Sequence, residues 1–179
     1  MAQSLNGKRV AILVTDGFEQ VELTGPKQAL DEAGAKTEII SAKPGKVRGW
    51  NHTTPADEFE VDSTFDRIHS EDYDAILLPG GVVNSDTIRT DDMAQELVRD
   101  AARADKTIAV ICHGAWLLAS ADLVKGKRMT SWPSLVDDLK NAGAEWVDEQ
   151  VVVDGHLISS RKPDDIPAFS QTLIAALAA

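Results

Sequence analysis

The single cysteine of this 179-residue chain lies in the run Ile108-Ala109-Val110-Ile111-Cys112-His113-Gly114-Ala115-Trp116. An apolar strand pattern ends at a residue that must turn, and a helix-forming segment begins at once. That arrangement has the form of a nucleophile elbow, where a strained turn lifts a side chain above the carboxyl edge of a sheet. A thiol placed there meets the unpaired N–H groups and positive end of a helix, which favour thiolate over thiol. Gly114 permits close approach of neighbouring backbone, and Ala115 leaves room in front of the sulfur. A lone cysteine elsewhere is often a small buried hydrophobe, but the strand–Cys–His–Gly–helix setting points to chemistry. His113 has three open roles: base, orienting partner or bystander, because adjacent strand residues point to opposite sides. Its backbone N–H is placed by the elbow to hold an oxyanion whichever way the ring points.

A second oxyanion donor is Gly81, since Pro79-Gly80-Gly81 ends another strand at the same edge; an ordinary tight turn is the alternative. No Lys-Ser/Thr follows these glycines and no G-x-G-x-x-G occurs, which disfavours a phosphate loop. The first strand also delivers Gly17-Phe18-Glu19-Gln20-Val21-Glu22 to this edge. A glutamate half-buried there would have a raised pKa, and once protonated could donate a hydrogen bond to a thiolate. The competing reading is a helix-start carboxylate favoured by the dipole. His52, His69 and His156 lie on turn-like segments without metal-ligand spacing, and read as solvated surface, with His52 a candidate for the mouth of a pocket. Trp50, Trp116, Trp132 and Trp146 read as packing in the core or at a subunit interface. No metal and no cofactor is expected.

Eighteen basic residues against 29 acidic ones give a formal charge of −11. That sign disfavours stable nucleic-acid binding and docking on anionic membranes. No stretch approaches the roughly 20 apolar residues of a membrane helix, and Met1 to Arg9 has no signal-peptide core. A cytoplasmic protein is therefore expected, and one cysteine allows no internal disulfide.

The elements that must hold these residues alternate between strand and helix, the pattern of βαβ units around a parallel sheet. Strands are predicted over Val10–Val14, Thr37–Ser41, Ala75–Leu78, Thr107–Ile111 and near Arg128–Ser131. Helices are predicted over about Glu22–Ala33, Asp92–Arg103, Ala115–Ala121, Ser134–Asn141 and Asp164–Ala178. Gly34 and Gly143 read as helix C-caps. Val151 to Ile158 reads as a hairpin with an Asp154-Gly155 turn, and Lys43 to about Arg67 as excursions and turns. Nothing marks a second domain, so residues 1–179 are read as one.

The motifs Gly17-Phe18-Glu19-Gln20-Val21-Glu22, Leu78-Pro79-Gly80-Gly81 and Ala109-Val110-Ile111-Cys112-His113-Gly114 together resemble the PfpI family of intracellular peptidases. Asn141-Ala142-Gly143-Ala144, Val151-Val152-Val153-Asp154-Gly155 and Ser159 to Asp165 extend the likeness over nearly the whole chain. The larger superfamily holds the parkinsonism-linked protein deglycase and class I glutamine amidotransferase domains. The resemblance implies a flavodoxin-like α/β three-layer sandwich with a mostly parallel sheet, and a Cys112–His113 pair. By position it makes Glu22 the glutamate that contacts the nucleophile, with Glu19 the lesser candidate. It also implies an acid that orients the histidine from across a subunit interface. Asp86 holds that position, three residues before Arg89, where the archaeal peptidases carry glutamate. Ala115 replaces the proline that many relatives have after His-Gly, which alters how the helix begins.

Three functions are compatible with these residues. The first is a cytosolic stress-response enzyme acting on reactive carbonyls: methylglyoxal, glyoxal or early glycation adducts. The second is an intracellular cysteine peptidase, and the third a redox-sensing stress protein. Partners are then a small carbonyl, glycated or peptide substrate and further copies of the chain, at least as a dimer.

Overall fold

The computed structural model describes residues 3–179; Met1 and Ala2, the start of the segment read as lacking a signal-peptide core, lie outside the described residues. In chain order the regular elements begin with β1 (Arg9–Leu13), β2 (Phe18–Glu19), α1 (Gln20–Glu32), β3 (Lys36–Ser41), β4 (Lys46–Asn51), β5 (Thr54–Glu60) and β6 (Ser63–Thr64). They continue through β7 (Ala75–Leu78), α2 (Val82–Ile88), α3 (Asp92–Arg103), β8 (Thr107–Ile111), α4 (Ala115–Ser120) and β9 (Arg128–Met129). The last are α5 (Val136–Asn141), β10 (Glu145–Trp146), β11 (Val151–Asp154), β12 (Leu157–Ser160) and α6 (Ile166–Ala178).

The main sheet has seven strands in the order β11-β12-β8-β7-β1-β3-β6. All its pairings are parallel except β11 with β12. Side chains alternate across the pleat and so build two cores. Ala11, Leu13, Ile76, Leu78, Ile108 and Val110 face one layer, where α3 supplies Leu97 and Val98, and α4 supplies Leu117 and Leu118. Val10, Ile12, Ala75, Leu77, Ala109 and Ile111 face the other, against Leu23 and Leu30 of α1 and Phe169 and Leu173 of α6. Burial on both faces makes the central strands continuous apolar runs. The result is a mostly parallel α/β three-layer sandwich: the strand–helix alternation predicts the parallel sheet, and the family resemblance implies the sandwich.

In α3, Ala94, Leu97, Val98 and Ala101 are buried at helical spacing, and the Asp91 side chain caps the first turn by accepting from Ala94 N at 2.9 Å. In α1 the buried stripe is Glu22, Leu23, Pro26 and Leu30. A carboxylic acid therefore occupies a core position, and Pro26 withholds the N–H that would have bonded the Glu22 carbonyl.

Three expectations are corrected. The stretch from Lys43 to Arg67 is not only turns: β4 and β5 pair antiparallel, and β4 pairs with β2 to make a separate three-stranded sheet. Its strands lack the apolar alternation of a half-buried sheet because almost every residue of β5 is exposed and only Val47 and Gly49 of β4 are buried. A short helix, α2, follows Gly81 where none was predicted. In the β11–β12 hairpin Asp154 pairs with Leu157, so the two loop residues are Gly155 and His156, with Gly155 at φ +58°.

Strand order reverses between β1 and β7, since the chain first moves outward to β3 and β6 and then returns to add β7, β8 and β12 on the other side. Ligand sites of open α/β sheets form at the carboxyl ends of strands beside such a reversal. The loops leaving β1, β7 and β8 carry Glu19 and Glu22, Gly80 and Gly81, and Cys112.

Candidate functional site

Cys112 has φ +63°, a left-handed backbone that costs a non-glycine residue about 1–2 kcal/mol. Two contacts hold it there. Trp132 N donates to the Cys112 carbonyl at 3.2 Å. Two residues on, Gly114 lies so close to β7 that a Cβ would stand 2.7 Å from the Leu78 carbonyl oxygen and 3.0 Å from that of Pro79. The elbow inferred from sequence is thus present, with Cys112 6% exposed.

Glu22 arrives from the first turn of α1 and is fully buried. Its Oε1 accepts the Gly80 N–H at 3.0 Å, while Oε2 makes no well-formed hydrogen bond among the described residues. A Cβ on Gly80 would lie 2.6 Å from Glu22 Oε1, 2.8 Å from Cys112 Cβ and 3.0 Å from His113 N. These three atoms converge on a point that only glycine leaves open. Glu22, and not Glu19, is the carboxyl against the nucleophile.

Burial pushes the Glu22 carboxyl up from 4.5 to about 8; the nearby Glu19 charge adds to this, and the hydrogen bonds to Cys112 and Gly80 oppose it. At neutral pH the group is a protonated acid and a hydrogen-bond donor. Burial also pushes the Cys112 thiol up, as does the neighbouring Glu22 charge, whereas the N–H groups of His113 and Gly81 reach the sulfur and pull it down. Desolvation thus opposes the helix-end effect expected from sequence. The six-residue α4 begins three residues beyond Cys112 and offers only a weak dipole. The Gly81 and His113 N–H groups both face the sulfur.

The turn brings the neighbouring side chains together: Cys112 Sγ lies 3.3 Å from His113 Nδ1. Burial lowers the His113 pKa, which keeps the imidazole neutral and able to accept a proton. The ring is clamped between the edge of Trp116 at 5.3 Å and the face of Trp132 at 5.8 Å. Arg89 in turn covers Trp116 at 5.1 Å and bonds Ser120 Oγ at 2.9 Å. No carboxylate of the described residues pairs with the His113 ring. Asp86 stands exposed on α2 without a hydrogen bond or ion pair among them.

Beside the elbow a cleft of about 290 Å³ opens between Glu19, His52, Gly81, Val82, His113 and Trp132, and its Gly81 and His113 adjoin the sulfur. His52 does line its mouth, while Trp132, read from sequence as packing, forms a wall. Glu19 is fixed by the pairing of β2 with β4, and its carboxylate accepts the His52 N–H at 3.1 and 3.3 Å. The site also depends on two residues that sequence reasoning passed over. Gly80 is one. The other is Asn84, 1% exposed, whose Oδ1 accepts from Thr15 N at 2.7 Å and Thr15 Oγ1 at 3.0 Å, while Nδ2 donates to the Gly80 and Pro79 carbonyls at 3.0 and 3.3 Å. An amide four residues after the Pro-Gly turn, inside a β-branched stretch, was its only signal.

Among the described residues no group of three or more His, Cys, Asp or Glu is placed to hold a metal ion, and no helix is long and apolar enough to cross a membrane.

Comparison with known proteins bears on the fold and the family. The chain is 38% identical to Protein/nucleic acid deglycase 2 of Escherichia coli, over 96% of this chain and 99% of that protein. It is also 38% identical to YraA of Bacillus subtilis, provisionally named a cysteine protease, over 92% of this chain and 95% of that one. The crystal structure of Drosophila melanogaster DJ-1beta superposes with a TM-score of 0.87 at 27% identity, covering 96% of this chain and 90% of that one. The DJ-1/PfpI family model matches residues 8–176, and the chain belongs to the DJ-1/PfpI family.

Proposed function

We propose that this is a cysteine-dependent, cytoplasmic stress-response enzyme acting on reactive carbonyls: methylglyoxal, glyoxal or the early adducts they form. One observation carries the reading. A thiol on a strained elbow lies 3.3 Å from a neutral imidazole nitrogen, beside a buried carboxyl. The thiol proton passes to His113 as sulfur adds to the aldehyde carbon of methylglyoxal, giving a hemithioacetal whose oxygen is held by the Gly81 and His113 N–H groups. His113 gives that proton to the hemithioacetal oxygen and, neutral again, carries the proton of the former aldehyde carbon to the ketone carbon through an enediol. Glu22 is the other group able to relay a proton, and the step leaves a thioester of lactate. Water hydrolyses it and returns the thiol, so the sum is methylglyoxal plus water to lactate.

The test follows methylglyoxal by proton NMR in an amine-free buffer with wild type and Cys112→Ser. Lactate formed by wild type alone supports the reading, and no lactate from a confirmed reduced thiol removes it. Peptide hydrolysis is the second reading, because the same thiol and paired N–H groups suit an amide carbonyl; cleavage of casein by wild type but not by Cys112→Ala would favour it. Redox sensing ranks third, since oxidation follows thiolate character and exposure, and Cys112 is a buried thiol.

Self-association is part of the proposal. Asp86 has no partner within the described chain and shares α2 with the exposed Val82 and Val83, which suits a carboxylate that orients His113 of a second copy. Light scattering that shows only monomer at micromolar concentration would end that role for Asp86.

A further inference from the structure

The cleft beside Cys112, which Gly81 and His113 line, holds a carboxylate that the cysteine chemistry leaves unused. Glu19 is only 12% exposed at its side chain and is held by the β2–β4 pairing. Its carboxylate accepts a single N–H, from His52, although two oxygens offer about four acceptor positions. No lysine or arginine lines the cleft or pairs with Glu19 among the described residues; the one nearby basic group, His52 Nδ1, is 3.9 Å away on a side chain 86% exposed. A carboxylate with acceptor positions left open in a cleft that has no lysine or arginine can receive a cation supplied from outside. Beside it, Val82 and Trp132 are 53% and 37% exposed and offer apolar surface for a methylene stem. At about 290 Å³ the cleft holds far more than a three-carbon dicarbonyl.

We propose that Glu19 is a specificity-determining residue that receives a cationic group of the substrate, an alkylammonium or guanidinium, while the electrophilic carbon sits at Cys112. The inference rests on the reading of Cys112 as the nucleophile and names the substrate class of that site: carbonyl compounds carried on a basic side chain. Glu19 does no bond-making. It sets which carbonyl is presented, through an ion pair on one wall and apolar contact with Val82 and Trp132 on the other.

The experiment measures alkylation of Cys112 by the neutral reagent iodoacetamide in the full chain, at about 0.3 M salt so that the long-range field of the acidic protein is screened. Butylguanidinium and its neutral isostere butylurea are compared as protecting ligands. Wild type should be protected by butylguanidinium at concentrations about tenfold lower than by butylurea. Glu19→Gln, which keeps size and hydrogen bonding, should close that gap. Equal protection by the two ligands in wild type overturns the proposal without any variant having to fold. An undiminished gap in a folded Glu19→Gln overturns the assignment to Glu19. The outcomes separate from those of the functional reading: a charge preference with no carbonyl turnover removes only the carbonyl activity. Lactate formation with no charge preference removes only the role of Glu19. Where turnover is present, kcat/KM for an arginine adduct relative to that for a neutral thiol adduct should fall about tenfold in Glu19→Gln.

Discussion

The two walls of the cleft are built in opposite ways. The elbow wall, with Gly81 and His113 at the cleft and Cys112, Gly80, Glu22 and Asn84 packed behind them, is set by close contacts. The hairpin wall, formed by β2, β4 and β5, is exposed and polar, and is tied to the body by hydrogen bonds such as Gly17 N to Arg48 O at 2.9 Å and Arg48 N to Asp16 Oδ1 at 2.8 Å. Reacting groups need sub-ångström placement and sit where packing over-determines them. The group proposed to choose substrate, Glu19, sits on the wall that can vary without disturbing the core. Substitutions on the elbow wall should therefore act on turnover, and those on the hairpin wall on selectivity or on nothing measurable.

Gly80→Ala should show the contrast at its greatest. The added methyl would stand 2.6 Å from Glu22 Oε1 and 2.8 Å from Cys112 Cβ, so acid, nucleophile and the His113 N–H must all shift. A displacement of that order costs about 100-fold in turnover or more. Wild-type rates from this variant would show that the elbow wall is not the rigid half. Asn84→Ala comes next. It leaves the Thr15 N–H and the Pro79 carbonyl without their side-chain partner in a buried place, and the Gly80 carbonyl with the Glu19 N–H at 3.3 Å. Urea denaturation should report a loss of about 2–3 kcal/mol, accompanied by slower turnover because the turn that presents Gly81 is no longer held. A stability loss with unchanged turnover would make Asn84 purely structural.

The pH behaviour of Glu22 sharpens the comparison further. Its carboxyl keeps a proton in the folded protein up to about 8, while the unfolded chain releases it near 4.5. The folded state thus binds more protons across that window, so stability is greatest below it and falls as pH rises through it. Glu22→Gln has no such proton, and its stability profile should be flatter between pH 4.5 and about 8 by a few kcal/mol. Alkylation should follow the same sign. Above about pH 8 wild-type Glu22 becomes a second negative charge beside the sulfur and restrains thiolate formation, whereas Glu22→Gln lets the rate keep climbing. Glu22→Leu, with no donor, should alkylate more slowly than Glu22→Gln near neutral pH. Parallel profiles for all three proteins would remove Glu22 from the mechanism.

The same division explains what could be read from sequence. β8 and α3 occupy the predicted residues without shift, because a strand buried on both faces is a continuous apolar run and a one-sided helix shows its stripe. The elbow was legible too, since a strand cannot pass through Cys112-His113-Gly114 without turning. β5 was not: Thr-Pro-Ala-Asp-Glu-Phe-Glu has no buried face, and its pairing comes from neighbours rather than from its own pattern. Gly80 and Asn84 were missed because their work is done by contacts across the fold, and a Gly-Gly turn looks the same with or without a carboxyl against it. Burial at Cys112 opposes the thiolate that the helix end favours. Desolvation depends on what closes over the sulfur, and local sequence shows only the helix that follows it.

The smallest effect belongs to the far end of the hairpin wall. Asp57 bonds Gln20 twice, from Gln20 Nε2 to Asp57 Oδ2 at 2.7 Å and from Asp57 N to Gln20 Oε1 at 2.9 Å, and only the first is lost in Asp57→Ala. Both groups face water, so the released amide is rehydrated and global stability should change by about 0.5 kcal/mol or less. The local consequence is larger than the global one. Amide protons of β4 and β5 should exchange faster than those of β7 and β8 already in wild type, since one sheet is exposed and the other lies between two cores. Asp57→Ala should widen that gap while leaving the β7 and β8 rates where they are. Faster exchange across the whole chain together would mean that the hairpin opens as one unit with the central sheet, and the separation of a rigid wall from an adjustable one would fail.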